Sequence, residues 1–302
     1  MIRSVDVSLD VTYAGAGASA LSMDLYVPRT TAPPPVAVYF HGGGWVRGSR
    51  ADLAQERLMP LARHGVAVAS VSYRLADVAR WPAQLHDAKG AVRWLRAHAS
   101  EFGIDGTRIG AWGASAGGHL AALLGLTAGL SELEGDVGGN LDQDSSVRCV
   151  VAWFPPTDLI ALTEQPVDPD VPLPSFMAGR PAGQTPAQAR LLGVRDVHEA
   201  PDAARAASPT TYAHRSGPPF LLVHGDRDGL IPHSQSQLLH NGLLASGTQS
   251  TLLLVAGANH EDEIFQHPSI IAATAGLLQL EQARPAWRVP LPIADTIRPH
   301  QR

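Results

Sequence analysis

Two patterns of hydrophobic residues follow one another along the chain. The segments Val5 to Val11 and Ser22 to Val27 alternate between polar and apolar positions, and a Gly/Ala/Ser stretch separates them. This pattern predicts a half-exposed antiparallel hairpin at the edge of a sheet. Further along, the apolar runs become continuous, as is typical of strands covered on both faces. These runs are Val36–Phe40, Val66–Val71, Ile109–Trp112, Cys149–Trp153, Phe220–Val223 and Leu252–Val255.

Segments with helical spacing lie between these runs. Five apolar residues share one stripe of such a helix: Leu85, Ala88, Val92, Leu95 and Ala99. Four charged residues of the same segment are predicted to lie on its surface: Asp87, Lys89, Arg93 and Arg96. The alternation of strand and helix predicts an α/β fold with right-handed crossovers. We expect a mostly parallel, doubly wound sheet of about eight strands, with helices on both faces.

One region departs from this alternation. The segment from Thr163 to Ala207 is dense in proline and has few long apolar runs. It is predicted to be a short lid or pocket-lining insertion over the edge of the sheet, within a single domain of residues 1–302. The tail from Arg284 to Arg302 is rich in Pro and Arg and is expected to be loose or packed on the surface.

Composition narrows the class of partner. A net charge of -5 without any block of Lys or Arg argues against nucleic acid or an anionic membrane. We expect a small-molecule substrate, and a homodimer stays open. Asp6 and Asp10 fall where a signal peptide would need an apolar region, and no apolar run reaches the length of a membrane span. A soluble, cytoplasmic protein is the expectation.

The chain offers little for metal or redox chemistry. Cys149 is its single cysteine, so neither an intrachain disulfide nor a CxxC pair is possible. Because Cys149 lies in an apolar run, we expect a buried, inert thiol. The sequence also lacks HExxH and paired metal-ligand spacings. We therefore expect neither a metal nor another cofactor.

The segment Gly113-Ala114-Ser115-Ala116-Gly117-Gly118 lies directly after one predicted strand and before a helix-compatible run. In a G-x-S-x-G elbow, the serine sits on a strained turn between a strand and a helix, and small neighbours are needed to fit it there. The bare pattern also occurs in ordinary turns. Its position between strand and helix favours Ser115 as a nucleophile.

A second glycine motif, His41-Gly42-Gly43-Gly44-Trp45, also follows a strand. Successive glycines leave backbone amides uncovered, so that two of them can point at one developing oxyanion. A flexible turn is the alternative for a lone glycine run. Together with the downstream serine elbow, an oxyanion hole is favoured, and His41 is expected to brace the loop.

These motifs, followed by Ser72–Leu75, Pro219–Pro232 and Gly257–His260, come in an order that resembles a known group. The chain resembles α/β-hydrolase esterases of the hormone-sensitive-lipase-like group and their feruloyl-esterase-like relatives, from about Met23 to Leu280. The resemblance implies the α/β-hydrolase fold. It also implies that the amides of three residues form the oxyanion hole: Gly43, Gly44 and Ala116.

In this fold the acid follows the nucleophile and the base comes last. Two aspartates, Asp226 and Asp228, follow the strand that ends at Val223. Asp228 matches the acid position of the family, although the next proline comes one residue later than in the family pattern. Asp226 is the competitor and is expected to form a turn. His260, on a loop after the last strand, is the candidate base, and the acidic run 261–263 is predicted to start the final helix.

The combination predicts a carboxylesterase with a Ser115, His260 and Asp228 triad, acting on small to medium acyl esters. Bulky residues are predicted to line the substrate pocket: Trp45, Trp81, Trp153 and Phe154. An arylformamidase-type amidase is an alternative because related enzymes share the HGGxW loop, and a feruloyl or acetyl-xylan esterase is another. A non-catalytic binding homologue is disfavoured because all three triad residues are present.

Overall fold

The computed structural model describes residues 2, 4–165, 170–174 and 184–283. An eight-stranded sheet runs through this part of the chain in the order β1-β2-β4-β3-β5-β6-β7-β8. The strands are β1 (Val5–Ala14), β2 (Leu21–Pro28), β3 (Val36–Phe40), β4 (Ala67–Val71), β5 (Ile109–Ala114), β6 (Val150–Trp153), β7 (Phe220–Gly225) and β8 (Ser250–Val255). The predicted tail and the middle of the predicted insertion lie outside the described residues.

Strand directions confirm the predicted architecture. β1 pairs with β2, and β2 with β4, in antiparallel fashion at one edge, whereas every other pair is parallel. The N-terminal hairpin is therefore an edge hairpin, as its alternating pattern predicts. Strands β3 to β7, which have continuous apolar runs, form the covered centre of the sheet, and every residue in them is buried. The same prediction is wrong for the run Leu252–Val255, because β8 lies at the opposite edge of the sheet and none of its residues is buried.

Eight α-helices lie in the described residues. They are α1 (Met59–Arg63), α2 (Ala83–Ala97), α3 (Ala116–Leu126), α4 (Ala161–Glu164), α5 (Ala187–Leu192), α6 (Pro201–Ala206), α7 (Ser234–Ala245) and α8 (Pro268–Ala283). Side chains of β3 alternate between two apolar cores: Val38 packs with α2, α3 and α7 on one face, and Tyr39 with α1 and α8 on the other. The predicted doubly wound arrangement is confirmed.

The prediction that the charged residues of α2 lie on its surface is wrong for three of them. Asp87 and Lys89 are fully buried and Arg93 is 2% exposed. Asp87 pairs with Arg74 at 2.6 Å, and Lys89 pairs with Glu134 at 2.6 Å. The loops that carry these partners cover the flanks of α2, and charges become tolerable in such a place when they are paired.

Four loops lie together at the carboxyl ends of the parallel strands. The glycine loop follows β3, Ser115 follows β5, Asp228 follows β7, and His260 follows β8. In open α/β sheets ligands bind at the carboxyl ends of the strands, so a site is expected where these four loops meet. No helix in the part of the chain described above has the length and apolar character needed to cross a membrane. The cytoplasmic location stays a prediction.

Candidate active site

Ser115 occupies a strained turn between β5 and α3. Its φ of 53° and ψ of -119° lie in a region that residues with a side chain rarely adopt. Its amide donates to the carbonyl of Trp153 at 2.9 Å, and its own carbonyl accepts from the His119 amide at 3.0 Å. A Cβ on Gly117 would overlap the Phe40 carbonyl, so only glycine fits there. The turn is the elbow that the motif predicts.

Three distant side chains meet at this turn. His260 Nε2 lies 2.9 Å from Ser115 Oγ, and His260 Nδ1 lies 2.7 Å from Asp228 Oδ2. Exposure is 9% for Ser115, 3% for His260 and 7% for Asp228, so the groups are shielded from bulk water. The structure brings the three predicted triad residues into one hydrogen-bonded relay, which can pass a proton from the hydroxyl to the imidazole.

The carboxylate of Asp228 is fully engaged. Its Oδ1 accepts from the amides of Leu230 at 2.9 Å and Ile231 at 2.8 Å, and its Oδ2 lies 3.2 Å from His224 Nε2. Burial by itself raises the pKa of Asp228. The charge of His260 and the hydrogen bonds from His224 and His260 outweigh burial and hold that pKa well below its ordinary value. Asp228 is thus an anion fixed against the imidazole.

The competing aspartate has a different environment. Asp226 is exposed, and its Oδ1 accepts from the amide of Gly257 at 2.7 Å. This bond ties the loop after β7 to the loop after β8. The contact reaches 31 residues along the chain, so Asp226 joins two loops rather than closing a local turn.

The glycine loop presents uncovered amides beside Ser115. Gly43 has a φ of 113°, and a Cβ there would overlap the carbonyl of Arg47, so the loop needs glycine at this position. Within the described ranges, the amides of Gly43, Gly44 and Ala116 donate to no protein acceptor. Ala116 is the first residue of α3, where backbone N–H groups and the helix dipole favour negative charge.

His41 braces this loop. Its ring stacks on Tyr73 with centroids 4.4 Å apart, and its Nδ1 donates to the Gly42 carbonyl at 2.7 Å. The Tyr73 hydroxyl donates to the His41 carbonyl at 2.9 Å. Burial lowers the pKa of His41, so that the ring stays neutral. His41 therefore positions the loop, in the way that the sequence predicts.

A cavity of about 760 Å³ opens on Ser115. One part of its wall is apolar and includes Leu162, Leu230 and Ile231. The predicted insertion contributes residues 186–188, and the Cβ of Ala187 would lie 3.0 Å from a Cβ built on Gly44. The described part of the insertion therefore lines the pocket next to the glycine loop.

The other part of the wall is polar. It comprises Tyr39, Asp52, Arg57 and Glu261. The prediction that the acidic run 261–263 starts the final helix is wrong. Glu261 has a φ of 57° and accepts a hydrogen bond from Arg57 Nη2 at 2.5 Å. A short 3-10 turn capped by Asp262 follows, and α8 begins only at Pro268. Adjacency to His260 is the one signal in the sequence that marks Glu261 as a site residue.

Three of the four predicted pocket residues lie elsewhere. Trp45 lines the cavity, but Trp81, Trp153 and Phe154 do not. Trp153 points to the α8 side of the sheet, where its indole N–H donates to Thr274 Oγ1 at 3.2 Å. Trp81 packs, half-buried, against the core. Trp153 is turned away from the cavity by the register of β6, and Trp81 lies in the turn before α2. Proximity in sequence cannot show either placement.

Phe154 has a role that the pocket prediction misses. Its ring packs against the His260 imidazole, with centroids 4.7 Å apart and an angle of 65° between the planes. Phe154 is fully buried and has a φ of 37°. It therefore packs behind the His260 imidazole and does not line the cavity.

Trp45 is held by a buried histidine. Its indole N–H donates to His119 Nδ1 at 3.2 Å, and His119 Nε2 donates to the Ala207 carbonyl at 2.6 Å. Burial lowers the pKa of His119 to about 4. A neutral His119 thus connects the pocket wall, the elbow helix α3 and the end of the insertion.

Comparison with known proteins identifies the family of the chain. A family model described as BD-FAE matches residues 23–243. The chain belongs to the BD-FAE family. The matched range includes the glycine loop, the elbow and Asp228, whereas His260 lies beyond it.

The chain also resembles esterases of known name. The chain is similar to Esterase LipC of Mycobacterium tuberculosis, with 35% identity over 76% of this chain and 53% of the relative. It is similar to Carboxylesterase NlhH of the same organism, with 36% identity over 78% of this chain and 65% of the relative. The chain spans about half the length of the curated relatives it matches.

A solved structure resembles the whole fold. A truncated form of a carbohydrate esterase from gut microbiota superposes with a TM-score of 0.81 and 28% identity. The match covers 92% of this chain and 97% of that chain. The BD-FAE chain described here therefore has the α/β-hydrolase fold of these esterases.

Proposed function

We propose that the protein is a carboxylesterase in which Ser115, His260 and Asp228 form the catalytic triad. The observation that carries this proposal is the unbroken relay from Asp228 through His260 to Ser115 Oγ, beside a cavity. The names of the relatives, esterase and carboxylesterase, support the same chemistry. The proposed partner is a small-molecule ester.

In the first step, Ser115 Oγ attacks the ester carbonyl carbon while its proton moves to His260 Nε2. Asp228 holds Nδ1–H and stabilises the imidazolium that forms. The carbonyl electron pair moves onto oxygen, and the amides of Gly43, Gly44 and Ala116 bind this oxyanion. Each such donor typically stabilises the transition state by about 2.7–4 kcal/mol.

The intermediate then collapses. The bond between the carbonyl carbon and the alcohol oxygen breaks, His260 gives its proton to that oxygen, and an acyl-Ser115 remains. Water attacks this acyl group while His260 accepts its proton. A second collapse releases the carboxylic acid and returns the proton to Ser115.

Small to medium acyl groups, from acetyl to roughly hexanoyl, are the proposed acyl range. The cavity volume of about 760 Å³ has to hold the acyl and alcohol parts together. The similar structure that is named a carbohydrate esterase favours a second, narrower candidate, which is an acylated carbohydrate. A feruloyl or acetyl-xylan ester belongs to that class.

Two measurements test the proposal together. A fluorophosphonate probe should label the protein, and Ser115→Ala should abolish labelling and lower turnover by roughly 10⁴-fold or more. Circular dichroism should show an unchanged fold in the variant. Full turnover by Ser115→Ala would refute the nucleophile, and a wild-type protein that resists the probe would favour a binding homologue.

A substrate panel tests the acyl range. p-Nitrophenyl esters from acetyl to palmitoyl should give the highest kcat/KM at the short and medium chains. Acetylated and feruloylated sugars extend the panel to the carbohydrate candidate, and N-formylkynurenine represents the amidase alternative. A maximum at palmitoyl would contradict the proposed size, and faster turnover of N-formylkynurenine would favour the amidase.

A further inference from the structure

One carboxylate oxygen in the cavity has no protein donor. Glu261 Oε1 accepts from Arg57 Nη2 at 2.5 Å, whereas no group in the described part of the chain donates to Oε2. The Glu261 side chain is 23% exposed and forms part of the cavity wall. Oε2 is therefore an accessible acceptor, and a strong one because it is charged.

This oxygen and the Ser115 side chain lie on either side of Gly42 in the glycine loop. A Cβ built on Gly42 would lie 3.3 Å from Glu261 Oε2 and 3.6 Å from Ser115 Cβ. Oε2 and the Ser115 side chain therefore flank the same point of the glycine loop. Glu261 also directly follows His260, which gives its proton to the departing alcohol. In the mechanism proposed above, an acceptor in the cavity wall beside Ser115 is within reach of groups on the alcohol moiety of a bound ester.

The fold holds this carboxylate in place from behind. Arg57 is fully buried, its Nη1 donates to the Tyr39 hydroxyl at 3.0 Å, and its guanidinium lies 4.9 Å from the Trp153 ring centroid. Burial disfavours the charge of Arg57, but Tyr39 and Glu261 raise its pKa above the ordinary value. A buried guanidinium needs a counter-charge, and Glu261 supplies it through one oxygen only.

The backbone of Glu261 adds to this picture. Its φ of 57° lies in the left-handed region, which costs a residue other than glycine free energy. Strained residues of this kind persist where the surroundings impose them, and they cluster at ligand sites. Here the strain turns the side chain back toward Arg57 and the cavity.

We propose that Glu261 Oε2 accepts a hydrogen bond from a hydroxyl group on the alcohol moiety of the ester, so that Glu261 determines specificity. The proposal rests on the ester hydrolysis proposed above. It identifies the preferred substrates as esters of hydroxylated alcohols, such as partly acylated sugars. A hydrogen bond between a hydroxyl and a charged group favours them by about 10- to 100-fold over alcohols without a hydroxyl.

The test compares acetyl esters that differ only in the alcohol. The measured quantity is kcat/KM for a monoacetylated methyl xyloside divided by kcat/KM for cyclohexyl acetate. Glu261→Gln keeps an oxygen for Arg57 but removes the charged acceptor, and it should lower this ratio by about 10-fold or more. Glu263→Gln, at an exposed acid two residues further on, is the matched control and should keep the wild-type ratio.

An unchanged ratio in Glu261→Gln, with or without an equal loss for both esters, would overturn the proposal. The proposal would also be overturned if Glu261→Gln changed kcat/KM only for esters whose hydroxyl group lies on the acyl part and not on the alcohol part. If Glu261→Gln does not fold, the double variant Arg57→Leu, Glu261→Leu removes the buried pair together, and its ratio should fall in the same way. Failure of ester hydrolysis itself is distinguished because the wild-type protein would then hydrolyse neither ester.

Discussion

The groups around Ser115 and the wall of the cavity are constrained in different ways. Ser115 and Gly43 have backbone angles that few residues adopt, and Gly117 has no room for a Cβ. Asp228 and His260 are held together by a short hydrogen bond. The wall instead collects side chains from distant segments, such as residues 186–188 and Glu261. The proposed reaction thus depends on local backbone geometry, whereas the proposed selectivity depends on tertiary packing.

The strongest test of this contrast uses the two neighbouring aspartates. Asp228→Asn removes the charge that stabilises the imidazolium and should lower kcat by roughly 10⁴-fold. Asp226→Asn changes an exposed loop contact and should lower kcat by less than about threefold, because it leaves the relay intact. Steady-state kinetics on p-nitrophenyl acetate gives both values, and the reverse ranking would make Asp226 the acid.

The second test concerns the glycine loop. Gly43→Ala forces a Cβ toward the Arg47 carbonyl and moves an oxyanion donor, so that kcat should fall by about 10²- to 10³-fold. Gly103→Ala is the matched control, because Gly103 also has a positive φ but lies where a Cβ meets nothing within 4 Å. Gly103→Ala should keep the wild-type kcat and lower the free energy of unfolding by only about 1 kcal/mol. Equal kcat values for the two variants would show that the loop does not bind the oxyanion.

His119, which holds Trp45 in the cavity wall, should make the stability of the protein depend on pH. The pKa of His119 is lowered from 6.5 to about 4 in the folded protein, so the unfolded chain takes up this proton at higher pH. The free energy of unfolding should therefore decrease as the pH falls from about 6.5 to about 4, by at most about 3 kcal/mol. Urea titrations across this range measure the slope.

A variant identifies the source of that slope. His119→Gln should reduce the slope between these pH values and leave the part that comes from groups such as His41, whose pKa burial also lowers. His214→Gln, at an exposed histidine, should keep the wild-type slope. If the slope of His119→Gln equals that of the wild type, another group is responsible and the neutral state of His119 has no support.

The smallest expected effect comes from the indole that faces the cavity. Trp45→Phe removes the donor to His119 Nδ1 and leaves a buried acceptor unpaired, which should cost about 1–2 kcal/mol of stability. Because Trp45 is part of the wall, fluorophosphonate labelling of Ser115 should continue in this variant while the preferred acyl length changes. Loss of labelling without loss of stability would contradict the separation of wall and relay.

Much of the reacting centre can be predicted from the sequence, because its signals are local. A strand, a turn of small residues and a helix follow one another around Ser115, and the order of nucleophile, acid and base selects Asp228 and His260. Continuous apolar runs likewise locate β3 to β8, although β8 lies at an edge of the sheet, and β3 has the predicted bounds.

The wall cannot be predicted in this way. Trp153 and Phe154 follow each other in sequence and both end up in the interior, one against α8 and the other against His260. Glu261 looks like an acidic helix start, and only the distant Arg57 shows its part in the cavity. Buried charges such as Lys89 depend on partners that no local pattern reveals.

The positive φ of Ser115 limits how far the thermal stability of this fold can be increased. A side chain held in such a conformation typically costs about 1–3 kcal/mol, and glycine would relieve that cost. The most thermostable version of this turn is therefore an inert one. Engineering for durability should be directed to the edge hairpin and the outer helices, where robustness and turnover do not compete.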